Sequence, residues 1–135
     1  MKTVFVDANV FLRFLTVDDA GQHERSVALF RKAARGDVTL VTGPPVLFEI
    51  AWTLRSAYKL PREKVWDVLE RIASLRGLRL TDGRLVEEAI ALGKARGAEF
   101  ADAYICAAGT QTGADEIATF NRKDFKRLDL ALYAL

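Results

Sequence analysis

The sequence predicts an α/β domain built on a central, mostly parallel sheet. Short apolar runs rich in β-formers recur along the chain, and stretches with helical spacing separate them. Their alternation is what parallel strands joined by right-handed helical crossovers require. At 135 residues, with no Pro/Gly/Ser-rich linker, charge block, low-complexity tract or internal repeat, the chain reads as a single domain over 1–135.

The strand runs are Thr3–Val6, Val38–Thr42, Leu78–Leu80 and Glu116–Thr119, with a weak last one at Leu130–Tyr133. A short helical stretch, Asn9–Leu15, follows the first. Gly21–Ala34 has apolar Val27, Leu29 and Phe30, and stops near Gly36. Pro45–Tyr58 opens on prolines, which suit a first helical turn. Pro61–Leu75 places Val65, Leu69 and Ile72 at helical spacing. Gly83–Arg96 is amphipathic and ends at Gly97, a C-cap residue. Ala101–Thr112 is apolar nearly all round, which predicts a buried helix.

Composition sets further bounds. Half the residues are hydrophobic and 28% are charged, the balance of a soluble globular protein. No apolar run approaches the roughly 18 residues that span a bilayer, and the first residues read as a strand rather than a signal peptide. One cysteine, Cys106, excludes an internal disulfide and points to a reducing compartment, the cytoplasm by default. The net charge of +2 is by itself weak evidence for a nucleic-acid partner.

Several acids stand where a core element would not place them. Asp7 ends the first strand in VFVDANVFLRFL, either as the N-cap of the next helix or as a ligand for something charged, and Asn9 adds an oxygen donor that capping does not need. Glu49, in PPVLFEIAWTL, belongs either to a narrow solvent stripe with Thr53 and Ser56 or to a site; bulky neighbours crowd it in either case. Asp102, in GAEFADAYICAAG, heads the most apolar helix, with Ile105, Cys106 and Gly109 downstream on its stripe; it is either a partner of the helix dipole or a ligand, and Glu99 stands three residues earlier. In IATFNRKDF, Asn121 with Asp124 three residues on has the form of a capping pattern.

In a parallel sheet Asp7, Asp102 and the Asn121/Asp124 pair fall on one edge, beyond the carboxyl ends of the strands, where α/β domains bind ligands. Crowded carboxylates repel and raise one another's pKa unless a hard cation such as Mg²⁺ or Mn²⁺ accepts their oxygens. With only His23 and Cys106 available, zinc has no ligand set.

In order and spacing, VFVDANVFLRFL, the glutamate of VLFEIAWTL, AEFADAYICAAG and IATFNRKDF resemble the four acidic motifs of PIN-domain ribonucleases, and in length the chain is similar to the VapC toxins of toxin–antitoxin pairs. The likeness runs from Val4 to Phe125. It implies a PIN-like fold with helices on both faces of the sheet and an acidic cleft. It implies that Asp7, Glu49, Asp102 and Asp124 are the catalytic, metal-binding acids, that Thr119 and Asn121 support the site by hydrogen bonds, that Asn9 orients Asp7, and that Glu99 stands where relatives often carry another acid. The activity it implies is Mg²⁺- or Mn²⁺-dependent hydrolysis of RNA phosphodiesters by an endoribonuclease toxin. The partners it implies are a VapB-like antitoxin, whose C-terminal segment covers the cleft, and a second copy of the chain. Phe48, Trp52, Tyr58 and Trp66 are candidates for the receiving groove, or else core.

Setting the four acids aside leaves 14 of the 18 acidic residues against 20 basic ones, an excess of six on the remaining surface. Arg122, Lys123, Lys126 and Arg127 crowd the last motif and Arg13 follows the first; each is either a solvated charge or a phosphate contact. Two rivals lack their residues. A receiver domain needs an aspartate after a central strand, where TLVTGPP has none, and a haloacid-dehalogenase-like phosphatase needs an aspartate where Asn9 stands. The remaining alternative is a PIN-fold module that binds RNA or a partner with little or no cleavage.

Overall fold

The structure, a computed structural model, describes all 135 residues. Its elements are β1 (Thr3–Phe5), α1 (Ala8–Leu15), α2 (Ala20–Ala34), β2 (Thr39–Thr42), α3 (Pro44–Ser56), α4 (Arg62–Ala73), β3 (Leu78–Leu80), α5 (Gly83–Arg96), α6 (Phe100–Gln111), β4 (Glu116–Ile117), α7 (Arg122–Phe125) and β5 (Ala131–Leu132). The predicted elements are all present, with the last two strands shorter than their apolar runs.

β1, β2 and β3 form a parallel sheet in that order, with β2 central. The register sets Val4, Leu40 and Leu78 in one row and Phe5, Val41 and Arg79 in the next. Successive strand residues face opposite sides, so the first row and Val6 and Thr42 share a face. That face is packed: Val6, Leu40 and Thr42 are buried. The other is more open, with Phe5 61% exposed and Arg79 exposed.

The expectation that Asp7, Asp102 and Asn121/Asp124 share one sheet edge needs correction. β4 pairs with β5 in a separate two-stranded parallel sheet and has no ladder to β1. β4 is only two residues long, and its departing chain turns at once, the Thr119 hydroxyl accepting from the Asn121 N–H at 2.9 Å. Asp124 therefore reaches its neighbours through the packing of α7 on α6, not through the sheet.

The main core gathers Phe11, Leu40, Leu47, Ile50, Leu54, Leu69, Ile72 and Val86, each 2% exposed or less. Trp66 joins it at 3%, stacked edge-on against Phe100. Trp52, by contrast, is 71% exposed, so the four candidate groove aromatics divide, with Phe48 and Tyr58 half-buried. α6 is not buried all round either. Ala103, Cys106 and Ala107 face the core, while Ala101 and Ile105 face solvent, because the neighbours that cover the helix lie on one side of it.

Candidate active site

The first acid is delivered by the β1–β2 ladder. The Val6 N–H donates to the Val41 carbonyl at 2.8 Å, and the buried Thr42 hydroxyl donates to the Val6 carbonyl at 2.9 Å. Two bonds therefore fix the residue before Asp7. Asp7 is the N-cap of α1, in extended conformation, with Oδ1 accepting from the Ala8 N–H at 2.8 Å. Capping engages one carboxylate oxygen, and the residue as a whole is exposed.

Asp102 and Asp124 meet around a small cavity of about 90 Å³ that Glu99, Arg62 and Arg127 also line. Asp102 stands in the first turn of α6, where the helix dipole favours a negative charge. Even so, its carboxyl is held above the ordinary aspartate range, first by removal from water, then by the charge of Asp124, then by that of Glu99. Arg127 donates to the Gly97 carbonyl at 3.1 Å, which anchors it at the cavity's rim.

Glu99, the N-cap residue of α6, makes no capping bond. Arg55 of α3 grips it instead: Nη2 lies 2.8 Å from Oε1, and Nε lies 3.1 and 3.2 Å from the two oxygens. Arg62 adds a longer contact at 3.9 Å. The hydrogen bond to Glu99 raises the Arg55 pKa above its ordinary value.

Glu49 lies in the second turn of α3 and is exposed, not crowded as its sequence neighbours imply, because bulky Trp52 also turns to solvent. Asn9 is exposed and borders a cavity between α1 and α2. Asn121 occupies the N-cap position of α7 without a side-chain cap bond, so the capping pattern is not realised; its backbone N–H is satisfied by Thr119 instead. Asp102, Asp124 and Glu99 are thus brought together, whereas Asp7 and Glu49 lie outside that cavity. No three His, Cys, Asp or Glu side chains stand close enough to hold a metal ion as a group.

The donor chemistry nonetheless fits a hard cation. Mg²⁺ is commonly held by one or two carboxylates and keeps several of its waters, and of the three half-buried carboxylates that line this cavity two, Asp102 and Asp124, are not claimed by an ion pair, with no His or Cys donor of a softer site beside them. Sequence reading missed Arg55, Arg62 and Thr42. Arg55 lies 44 residues from the glutamate it binds, a separation no local pattern reports.

No helix is long and apolar enough to cross a membrane. A search of curated proteins finds no match to the chain. The sequence profile of the PIN domain matches residues 4–130, a span that includes every acid described above. PIN domains are generally nucleases and generally use divalent metals. With the match covering nearly its whole length, the chain belongs to the PIN domain family.

Proposed function

We propose that this chain is a divalent-metal-dependent endoribonuclease and the toxin of a VapC-like toxin–antitoxin pair, acting in the cytoplasm. The observation that carries the nuclease reading is the Asp102–Asp124 cavity, where two half-buried carboxylates line one small space and desolvation, with the facing charge, raises the Asp102 pKa. Carboxylates under that strain gain from a cation in place of the proton.

Asp102 and Asp124 would hold Mg²⁺ or Mn²⁺, and Asp7 and Glu49, which lie outside their cavity, would take part through waters that such an ion keeps. Such an ion, when bound, polarises a phosphate oxygen and lowers the pKa of a bound water. The chain's own groups do the rest. Arg127 and Arg62 present guanidinium N–H groups beside the acids, suited to the non-bridging oxygens of a phosphodiester. Thr42 fixes the strand end that carries Asp7, and the Thr119 hydroxyl fixes the turn into α7 that carries Asp124.

The partners follow the same reading. A cavity of about 360 Å³ between α3 and the start of α6, lined by Phe48, Trp52 and Phe100 with Arg55 and Glu99 at its polar side, suits the C-terminal segment of a VapB-like antitoxin. A homodimer completes the assembly.

The test is cleavage of a mixed-sequence single-stranded RNA in Mg²⁺ or Mn²⁺, with and without EDTA, by the parent and by Asp7→Asn. Cleavage by the parent alone, abolished by EDTA, is the expected result. Full activity of Asp7→Asn, or cleavage that survives EDTA, overturns the reading. RNA binding without any cleavage favours a binding module instead.

A further inference from the structure

A second cavity, of about 450 Å³, lies between α1 and α2. Five of its seven lining residues are polar or basic: Asn9, Arg13, Gln22, Arg25 and Ser26. None is acidic, and the two guanidinium groups of the lining outnumber the one carboxylate, Asp18, that contacts them, a balance that favours an anion.

Arg13 is held in place for such a ligand. Its Nε donates to Gln22 Oε1 at 2.7 Å, and Nη1 lies 3.7 Å from Asp18 Oδ2. Its backbone carbonyl meets His23 Nδ1 at 2.8 Å, which ties this stretch of α1 to α2. A guanidinium has five N–H donors, and these contacts leave most of them unused. Arg25, on α2, pairs with no carboxylate at all. Ser26, 6% exposed, adds a hydroxyl, and the amides of Asn9 and Gln22 add neutral donors.

We infer that this groove binds a backbone phosphate of an RNA strand, with Arg13 and Arg25 as its charged contacts. The guanidinium fork matches the oxygens of a phosphate bidentately, and both arginines line the same groove. An acidic peptide is the competing occupant, but the groove has only Val10 and Leu29 as apolar walls and offers little to anchor peptide side chains. Asn9 links the groove to the proposed site, since it stands two residues after Asp7 at the start of the same helix. A strand seated on Arg13 and Arg25 can therefore continue toward Asp7. The choice of RNA rests on the nuclease reading; the choice of an anion does not.

The test measures binding of a fluorescein-labelled RNA oligonucleotide by anisotropy, in EDTA, over a range of salt. EDTA removes cleavage from the measurement. Arg13→Ala and Arg25→Ala should each weaken binding about fivefold or more at low salt and reduce the slope of log affinity against log salt by about 0.7. Arg25 makes no ion pair, so its variant should keep the parent's melting temperature and remains informative if Arg13→Ala loosens the fold. Arg84→Ala, at a position 89% exposed on α5, should bind as the parent does. The proposal is overturned if the parent binds no RNA, if Arg25→Ala binds as the parent does, if Arg84→Ala loses as much, or if a polyglutamate peptide displaces the RNA with the same dependence on the two arginines. A parent that fails to cut RNA but shows the predicted losses keeps the groove and rejects the nuclease reading. A parent that cuts RNA while Arg25→Ala binds it normally does the reverse.

Discussion

Arg55 holds Glu99 with three hydrogen bonds, the shortest 2.8 Å, across the 44 residues that separate α3 from the start of α6. The pair decides what Glu99 can do. Both of its oxygens accept from one guanidinium, so it is engaged as a structural partner and as a source of negative charge beside Asp102. Glu99→Gln should therefore leave metal-dependent cleavage within about tenfold of the parent, where Asp102→Asn removes it. Loss of the pair should cost at most about 1 kcal/mol, since both side chains are 40% exposed. Initial cleavage rates and urea denaturation check the two parts, and a Glu99→Gln protein as inactive as Asp102→Asn would make Glu99 a ligand.

Asp102 gives a pH prediction with a definite sign. Its folded carboxyl is raised above 3.8, its ordinary value, first by desolvation and then by Asp124 and Glu99. The folded chain thus binds this proton more tightly than the unfolded chain does. Its contribution to stability falls as pH rises from the unfolded value through the raised folded one. Asp102→Asn should melt at a higher temperature than the parent at pH 7 without metal, and that advantage should vanish near about pH 3. A variant that melts lower than the parent at pH 7 contradicts the desolvated, repelled carboxylate.

Thr42 is fully buried, and its hydroxyl donates to the carbonyl of Val6. Thr42→Val keeps the shape and leaves that carbonyl without its donor, which costs about 1–3 kcal/mol. Because Val6 precedes Asp7, cleavage should fall more than the fraction folded does. Equal activity per folded molecule would show that the strand end does not position the acid.

Gly93 makes a stability prediction remote from the acids. A Cβ at this position would lie 2.1 Å from the ring of Trp66, itself 3% exposed. The indole sits in the core between α4 and α5 and has little room to retreat. Gly93→Ala should lose about 1–3 kcal/mol by overpacking, even though alanine is the better helix former by about 1 kcal/mol. Chemical denaturation measures it, and an unchanged midpoint would mean the ring moves freely.

Much of the fold was legible because its signals are local. Val65, Leu69 and Ile72 mark the buried face of α4, Gly97 ends α5 in the left-handed conformation, and Asp7 caps α1. Pairing partners are less local, and β4 carries too few residues to announce which sheet it joins. The same limit applied to the site. The acids were readable as misplaced charges; the fold brings Asp124 to Asp102 around one cavity and leaves Asp7 and Glu49 outside it. The exposure of Glu49 depends on how α3 packs, not on its sequence neighbours, and Arg55, Arg62 and Thr42 gain their meaning only from contacts far along the chain.

The most direct measurement is a calorimetric titration with Mn²⁺ of the parent, Asp7→Asn, Asp102→Asn and Asp124→Asn. Separated carboxylates that jointly hold a hard cation predict a saturable site in the parent and an affinity lower by about tenfold or more in each variant. A parent that binds no ion, or three variants that titrate as the parent does, would contradict it.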